Sequence, residues 1–125
     1  DSLILADAKL SAYVTLYRNS LEANRMCLCG MLASEVLTLD AAMLPKLKSF
    51  FTHNTEWLTE VFAAGKTQKL LSHVGASEDH AQIFLSTLQG ALLIARATGN
   101  FKEFDKTTSL LIKNYLQDDR SESKL

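Results

Sequence analysis

The chain has 125 residues, 47% of them apolar, and carries 13 basic against 14 acidic side chains for a net charge of −1. Near-neutrality excludes a chain that grips nucleic-acid phosphates by itself. The single proline, the five glycines and the scarcity of strand-type alternation exclude a sandwich or barrel, and no apolar run reaches the ~20 residues a membrane span needs.

What remains is an all-α fold, a five-helix bundle in one domain over residues 1–117 with a polar, flexible tail over 118–125. The start lacks a secretory pattern. Helical periodicity begins almost at Asp1, with no initiating methionine, so the sequence reads as a piece of a longer protein. Leu3, Ala6, Leu10, Tyr13 or Val14, Tyr17 and Leu21 recur at helical spacing and define a first amphipathic helix. After Glu22-Ala23-Asn24, the run Met26 to Ala33 is apolar on every side, which predicts a short second helix enclosed by protein.

Thr38-Leu39-Asp40 supplies a stop and an N-cap for a third helix, whose first turns tolerate Pro45. Leu44, Leu47, Phe51, Leu58 and Phe62 form its stripe, Phe50, Trp57 and Val61 lie beside it, and it ends near Gly65. Periodicity fails between Lys66 and Ala76, predicting a mobile connection with a short turn around Leu70-Leu71. Ser77 is the expected N-cap of a fourth helix, Glu78 and Asp79 suit its positive end, and Gly99 stops it. Asn100 and Glu103 have the spacing of a capping box at the head of a fifth helix with Phe101, Phe104, Thr108, Leu111 and Tyr115 on its buried stripe. The closing Ser123-Lys124-Leu125 has the form of a peroxisomal address, a three-residue match that carries little weight.

The fourth helix is apolar around nearly its whole circumference over Leu88 to Ala95, interrupted only by Gln89. Gly90, Ala91 and Ala95 allow a close helix approach, and the fifth helix has off-stripe apolar groups at Leu110, Ile112 and Leu116. A small monomer rarely leaves so much apolar helix face in water, so a two-fold partner is the expected cover, the last two helices of each copy forming a four-helix seam.

Chemistry-bearing residues are few. Cys27 and Cys29 point to nearly opposite sides of a helix and have no second pair with which to hold zinc, so they read as structural thiols, with redox sensing as the lesser role. His53, His73 and His80 are too far apart for a local metal motif, although His53, four residues before Trp57, suits a polar contact in a pocket. Glu35 and Gln89 are polar groups on apolar helices and need partners, Gln89 at either a pocket or the seam. No phosphate loop, dinucleotide fingerprint, nucleophile elbow or paired-carboxylate motif is present, so neither an enzyme nor a cofactor or metal is expected.

The segment Met26-Cys27-Leu28-Cys29-Gly30-Met31-Leu32-Ala33-Ser34-Glu35, followed by Phe50-Phe51, Asn54, Trp57-Leu58, Gly65 and the run Leu88 to Ala97, resembles the C-terminal domain of TetR-family transcriptional regulators over nearly the whole chain. The resemblance implies a cytoplasmic, bacterial repressor acting as a homodimer, with DNA bound only through an N-terminal helix-turn-helix that is missing here. It also implies an effector pocket within each subunit, lined by Tyr13, Tyr17, Met26, Met31, Phe50, His53, Trp57 and Phe84, for a small hydrophobic or aromatic effector. The dimer seam would run over Leu85, Leu88, Gln89, Leu92, Ala95, Arg96, Phe104, Thr108, Leu111 and Tyr115. For any one of these residues taken singly, plain core is the readier reading than ligand contact. The competing reading is a helical protein–protein scaffold without a small-molecule pocket.

Overall fold

The computed structural model describes residues 4–22 and 41–117. Within them lie four α-helices: α1 (Ala6–Glu22), α2 (Leu44–Thr67, entered through a 3-10 turn at Ala41–Met43), α3 (Ser77–Thr98) and α4 (Phe101–Tyr115). No strand is present among the described residues. The expected second helix, with Met26, Cys27, Cys29, Met31 and Glu35, lies outside the described residues, as do Thr38 to Asp40 and the tail over 118–125.

The periodic stripes become the core. Ala6, Leu10, Tyr13, Tyr17 and Leu21 are the buried residues of α1, and this one face meets α2, α3 and α4. Leu47, Leu58, Val61, Phe62 and Gly65 are buried on α2, and Ala81, Phe84, Leu85, Leu88, Leu92 and Ala95 on α3. These two helices share the most extensive contact in the bundle. A Cβ on Gly65 would overlap the side chain of Leu71, down to its own Cβ at 2.9 Å, so glycine is needed where the connection folds back under α2. Pro45 sits in the first turn of α2, where its missing N–H is not required.

Two helix ends depart from the expected chemistry. Ser77 does not cap α3: it is the first helical residue, Ala76 holds the cap position without a side-chain bond, and the Ser77 hydroxyl meets His73 Nε2 at 3.0 Å. The connection over 68–76 is not a loose loop. Leu71 pairs with Leu116 in an isolated antiparallel bridge, Ser72 N donating to Tyr115 O at 2.8 Å and Gln117 N to Leu70 O at 2.9 Å. The other two signals hold: Gly99 closes α3 in the left-handed region at φ 74°, and Asn100 Oδ1 accepts from Glu103 N at 3.1 Å.

Candidate functional site

Three helical stripes converge beside the middle of α1. Tyr13 and Tyr17 are one turn apart on α1; Phe50, Asn54 and Trp57 follow one face of α2; Gln89 and Leu92 project from α3. Between them is a cavity of about 270 Å³ lined by Tyr13, Leu16, Tyr17, Ser20, Phe50, Asn54 and Leu92. A second, shallower hollow of about 310 Å³ shares Tyr13, Leu16 and Asn54 and extends to His53 and Trp57. Tyr13 is the common wall, its ring 5.3 Å from Tyr17 and 5.5 Å from Trp57.

The polar groups at this site form a directed chain. Asn54 Nδ2 donates to the Phe50 carbonyl at 2.9 Å, which fixes the amide so that Oδ1 faces Tyr13. The Tyr13 hydroxyl donates to that oxygen at 2.6 Å, and Gln89 Nε2 donates to the Tyr17 hydroxyl at 2.8 Å. The two phenolic oxygens are 3.5 Å apart. No lysine, arginine, aspartate or glutamate lines either hollow among the described residues.

Of the residues expected at a pocket, Tyr13, Tyr17, Phe50, His53 and Trp57 come together here, with His53 on the exposed rim. Met26 and Met31 lie outside the described residues. Phe84 is elsewhere: it is fully buried against Phe62, ring centroids 5.7 Å apart, in an aromatic cluster with Tyr115. Gln89, open between pocket and seam, donates to the Tyr17 hydroxyl and borders a separate hollow with Phe51, Gln82, Leu85 and Ser86. Asn54, Leu16, Ser20 and Leu92 are additional walls. Asn54 had a legible signal, lying four residues after Phe50 and three before Trp57 on the same helix face.

The residues expected at a dimer seam divide differently. Leu85, Leu88, Leu92, Ala95, Phe104, Thr108 and Tyr115 are buried by the chain's own helices, and Leu111 is half-buried against the same core. Arg96 is half-buried on the α3 face that carries Gln89. The opposite face of α3 is the open one: Ile83, Thr87, Gly90, Ile94 and Ala97 follow each other at helical spacing, with Ile83 and Ile94 49% and 62% exposed. It borders a groove of about 470 Å³ between α3 and α4, reaching Gly90, Ala91, Ile94 and Thr98 on one side and Glu103 and Thr107 on the other.

A wider hollow of about 680 Å³ between α2 and α3 is lined by Glu56, Glu60, Glu78 and threonines, with Phe51 its one aromatic wall. It has neither the enclosing rings nor the ordered hydrogen-bond chain of the smaller cavity. Among the described residues no three His, Cys, Asp or Glu side chains come together as a metal-binding group, and no helix is long and apolar enough to cross a membrane. His73 and His80 do approach, ring centroids 4.8 Å apart, but both nitrogens of His80 are engaged, by Tyr115 Oη at 2.8 Å and the Val74 carbonyl at 2.7 Å. Burial lowers the His73 pKa, with smaller contributions from His80 and Lys66, and burial raises that of Tyr115.

No protein-family model matches the sequence, and no curated protein matches it. Solved structures do. A TetR-family transcriptional regulator from Agrobacterium tumefaciens superposes with a TM-score of 0.85 at 28% identity, over 90% of this chain and 60% of that one. The reduced form of E. coli NemR gives 0.75 at 17% identity over 87% of this chain and 60% of its own. A TetR transcriptional regulator from Chloroflexus aurantiacus gives 0.77 at 13% identity over 90% and 61%. The last two bear on the fold alone. The chain thus has the all-helical fold of TetR-type regulators and spans about 60% of their length, in keeping with the C-terminal part of such a protein.

Proposed function

We propose that the chain is the effector-binding and dimerisation part of a TetR-type repressor, in which a small hydrophobic or aromatic effector alters operator binding by helix-turn-helix heads. In this reading those heads lie outside this chain, which covers 60% of the Agrobacterium regulator. The observation that carries the reading is the aromatic cavity at Tyr13, Tyr17, Phe50 and Asn54, with its ordered hydrogen-bond chain, inside this fold. A ligand wedged there bears on α1 and α2 together. It favours whichever arrangement of α1 opens the cavity, and a shift of α1 changes the separation of heads that must fit two successive major grooves.

The dimer seam in this reading is the open face of α3, with the adjoining groove and Leu110 of α4. Gly90 supports it. Glycine inside a helix costs about 0.5–1 kcal/mol relative to alanine, yet a Cβ at Gly90 would meet nothing within 4 Å and its φ is not in the left-handed region. Nothing within the described chain requires glycine there, whereas a second helix crossing at Ile94 and Gly90 does.

Sedimentation equilibrium of the wild-type chain and Ile94→Glu tests the seam, and Trp57 emission on adding small aromatic compounds tests the cavity. The expected result is a wild-type dimer that Ile94→Glu dissociates with helicity intact, and a Trp57 response that saturates. A wild-type monomer at tens of micromolar sinks the seam and hands the exposed face to a different protein partner.

A further inference from the structure

We propose that the connection over 68–76 clamps the first turn of α1 and that a proton on His73 releases it. The clamp stands apart from the effector reading, and testing it needs neither ligand nor DNA. The connection reaches three helix ends. At its head the Gln68 side chain accepts from the Ala6 amide at 3.0 Å, satisfying one of the N–H groups that a helix leaves open in its first turn. In its middle Ser72 N and Leu70 O pair with Tyr115 and Gln117 at the end of α4. At its foot Val74 O is bound to His80 and the His73 ring to Ser77, both in the first turn of α3. These contacts depend on one another through Lys69, which sits between Gln68 and Leu70 with φ 61°. A residue other than glycine keeps that left-handed backbone only while its surroundings impose it. Here Leu70 N and Leu71 N both donate to the Gly65 carbonyl, at 3.0 and 3.1 Å, and the buried Leu71 side chain lies against Gly65. Once Leu71 leaves, Lys69 returns to an ordinary conformation and turns Gln68 away from Ala6.

His73 is the group that can dislodge Leu71. Its ring packs against Phe62 of α2 and His80 of α3, centroids 5.6 and 4.8 Å away, with Lys66 of α2 also near and Tyr115 of α4 standing against His80. Glu78 and Asp79 share that turn of α3 but are exposed. His73 Nε2 meets Ser77 Oγ at 3.0 Å, whereas Nδ1 is buried with no hydrogen-bond partner. The neutral ring tolerates this by keeping its proton on Nε2 and turning only a lone pair inward. A second proton has to go on Nδ1, where it becomes a buried donor without an acceptor and adds positive charge beside His80 and Lys66. Burial first, and then those two neighbours, hold the His73 imidazole below its ordinary range. His80 differs: its Nε2 donates to the Val74 carbonyl at 2.7 Å, so Nδ1 accepts from the Tyr115 hydroxyl, and a proton added there finds the Tyr115 oxygen. A protonated His73 is better solvated outside the cluster, and as it swings into water it draws Leu71, two residues back, out of its seat against Gly65.

Hydrogen exchange at the Ala6 amide reads the clamp, expressed as a protection factor so that the intrinsic pH dependence of exchange drops out. Between pH 7.5 and 5 the expected fall is at least about threefold, with a ceiling of about thirtyfold set by a free imidazole titrating near 6.5. The fall should begin near that value and continue down to the lower midpoint at which His73 itself titrates in the folded chain, followed by its imidazole C–H resonance. In His73→Gln, which keeps an N–H for Ser77 but takes up no proton, the profile should be flat. Ala6 should also stay less protected than Leu88, which is fully buried in the core, because the clamp opens without the bundle unfolding. A flat wild-type profile, a fall that persists in His73→Gln, or Ala6 protection equal to that of Leu88 at every pH overturns the proposal. If His73→Gln does not fold, the wild-type chain decides: a fall that follows the midpoint of His53 or His80 in place of that of His73 overturns it.

Discussion

Two groups of tyrosine and aromatic side chains occupy opposite ends of the bundle and are built for different purposes. At one end Phe62 and Phe84 are fully buried, and Phe62 meets Tyr115, His73 and Phe84 at centroid distances of 4.7, 5.6 and 5.7 Å. The Tyr115 hydroxyl is consumed by His80. At the other end Tyr13 and Tyr17 are also largely shielded, yet they border a void, and their hydroxyls form a chain with one long step. The same residue type thus serves as a filled joint in one place and as a wall in the other. What separates them is whether the neighbouring helices close completely over the rings.

The largest effect that could break this contrast is Phe62→Ala, which should cost about 3–5 kcal/mol in urea denaturation because it empties a fully buried site. Truncating the exposed Leu16 on the cavity side to alanine should change stability by less than about 0.5 kcal/mol, and a comparable loss at both positions would abolish the distinction. Next is Gly65→Ala, whose new Cβ displaces Leu71; overpacking of this kind costs about 1–3 kcal/mol. Tyr115→Phe should cost about 1 kcal/mol, the net worth of the bond to His80. Gly90→Ala should act in opposite directions, raising monomer stability by about 0.5–1 kcal/mol while weakening self-association in sedimentation. The smallest effect is expected from pH. His73 stays neutral in the fold where a free imidazole, at about 6.5, takes up a proton. The unfolded chain then binds the extra proton, so stability complete above that pH should decline as pH falls toward the lowered folded value. His73→Gln should flatten this part of the stability profile.

Local patterns were legible wherever the chain's own periodicity decides the outcome. The α1 stripe, the Gly99 stop and the Asn100 cap depend on a few neighbouring residues and appear as expected. Long-range pairings were not. The connection over 68–76 looked loose because it lacks periodicity, but a bridge to Leu116 holds it. Ser77 has the chemistry of a cap, yet His73, brought near by that same connection, engages its hydroxyl. The seam shows the limit most clearly. Apolar spacing shows that Leu88 and Leu92 must be covered, but not whether the cover comes from their own chain or a second copy. Here it comes from their own chain. Phe84 failed as a pocket residue for a related reason: an aromatic at core spacing carries no mark of the end of the bundle it will face.

The stitch between Leu71 and Leu116 also has a consequence for cooperativity. It joins the turn before α3 to the residue after α4, so the intervening chain forms a closed circuit whose ends meet in paired amides. Fraying of the last helix cannot then proceed one turn at a time without first parting Ser72 from Tyr115 and Gln117 from Leu70. Those two amides should exchange with solvent in step, as the latch of one opening unit comprising α3, α4 and the turn that precedes them.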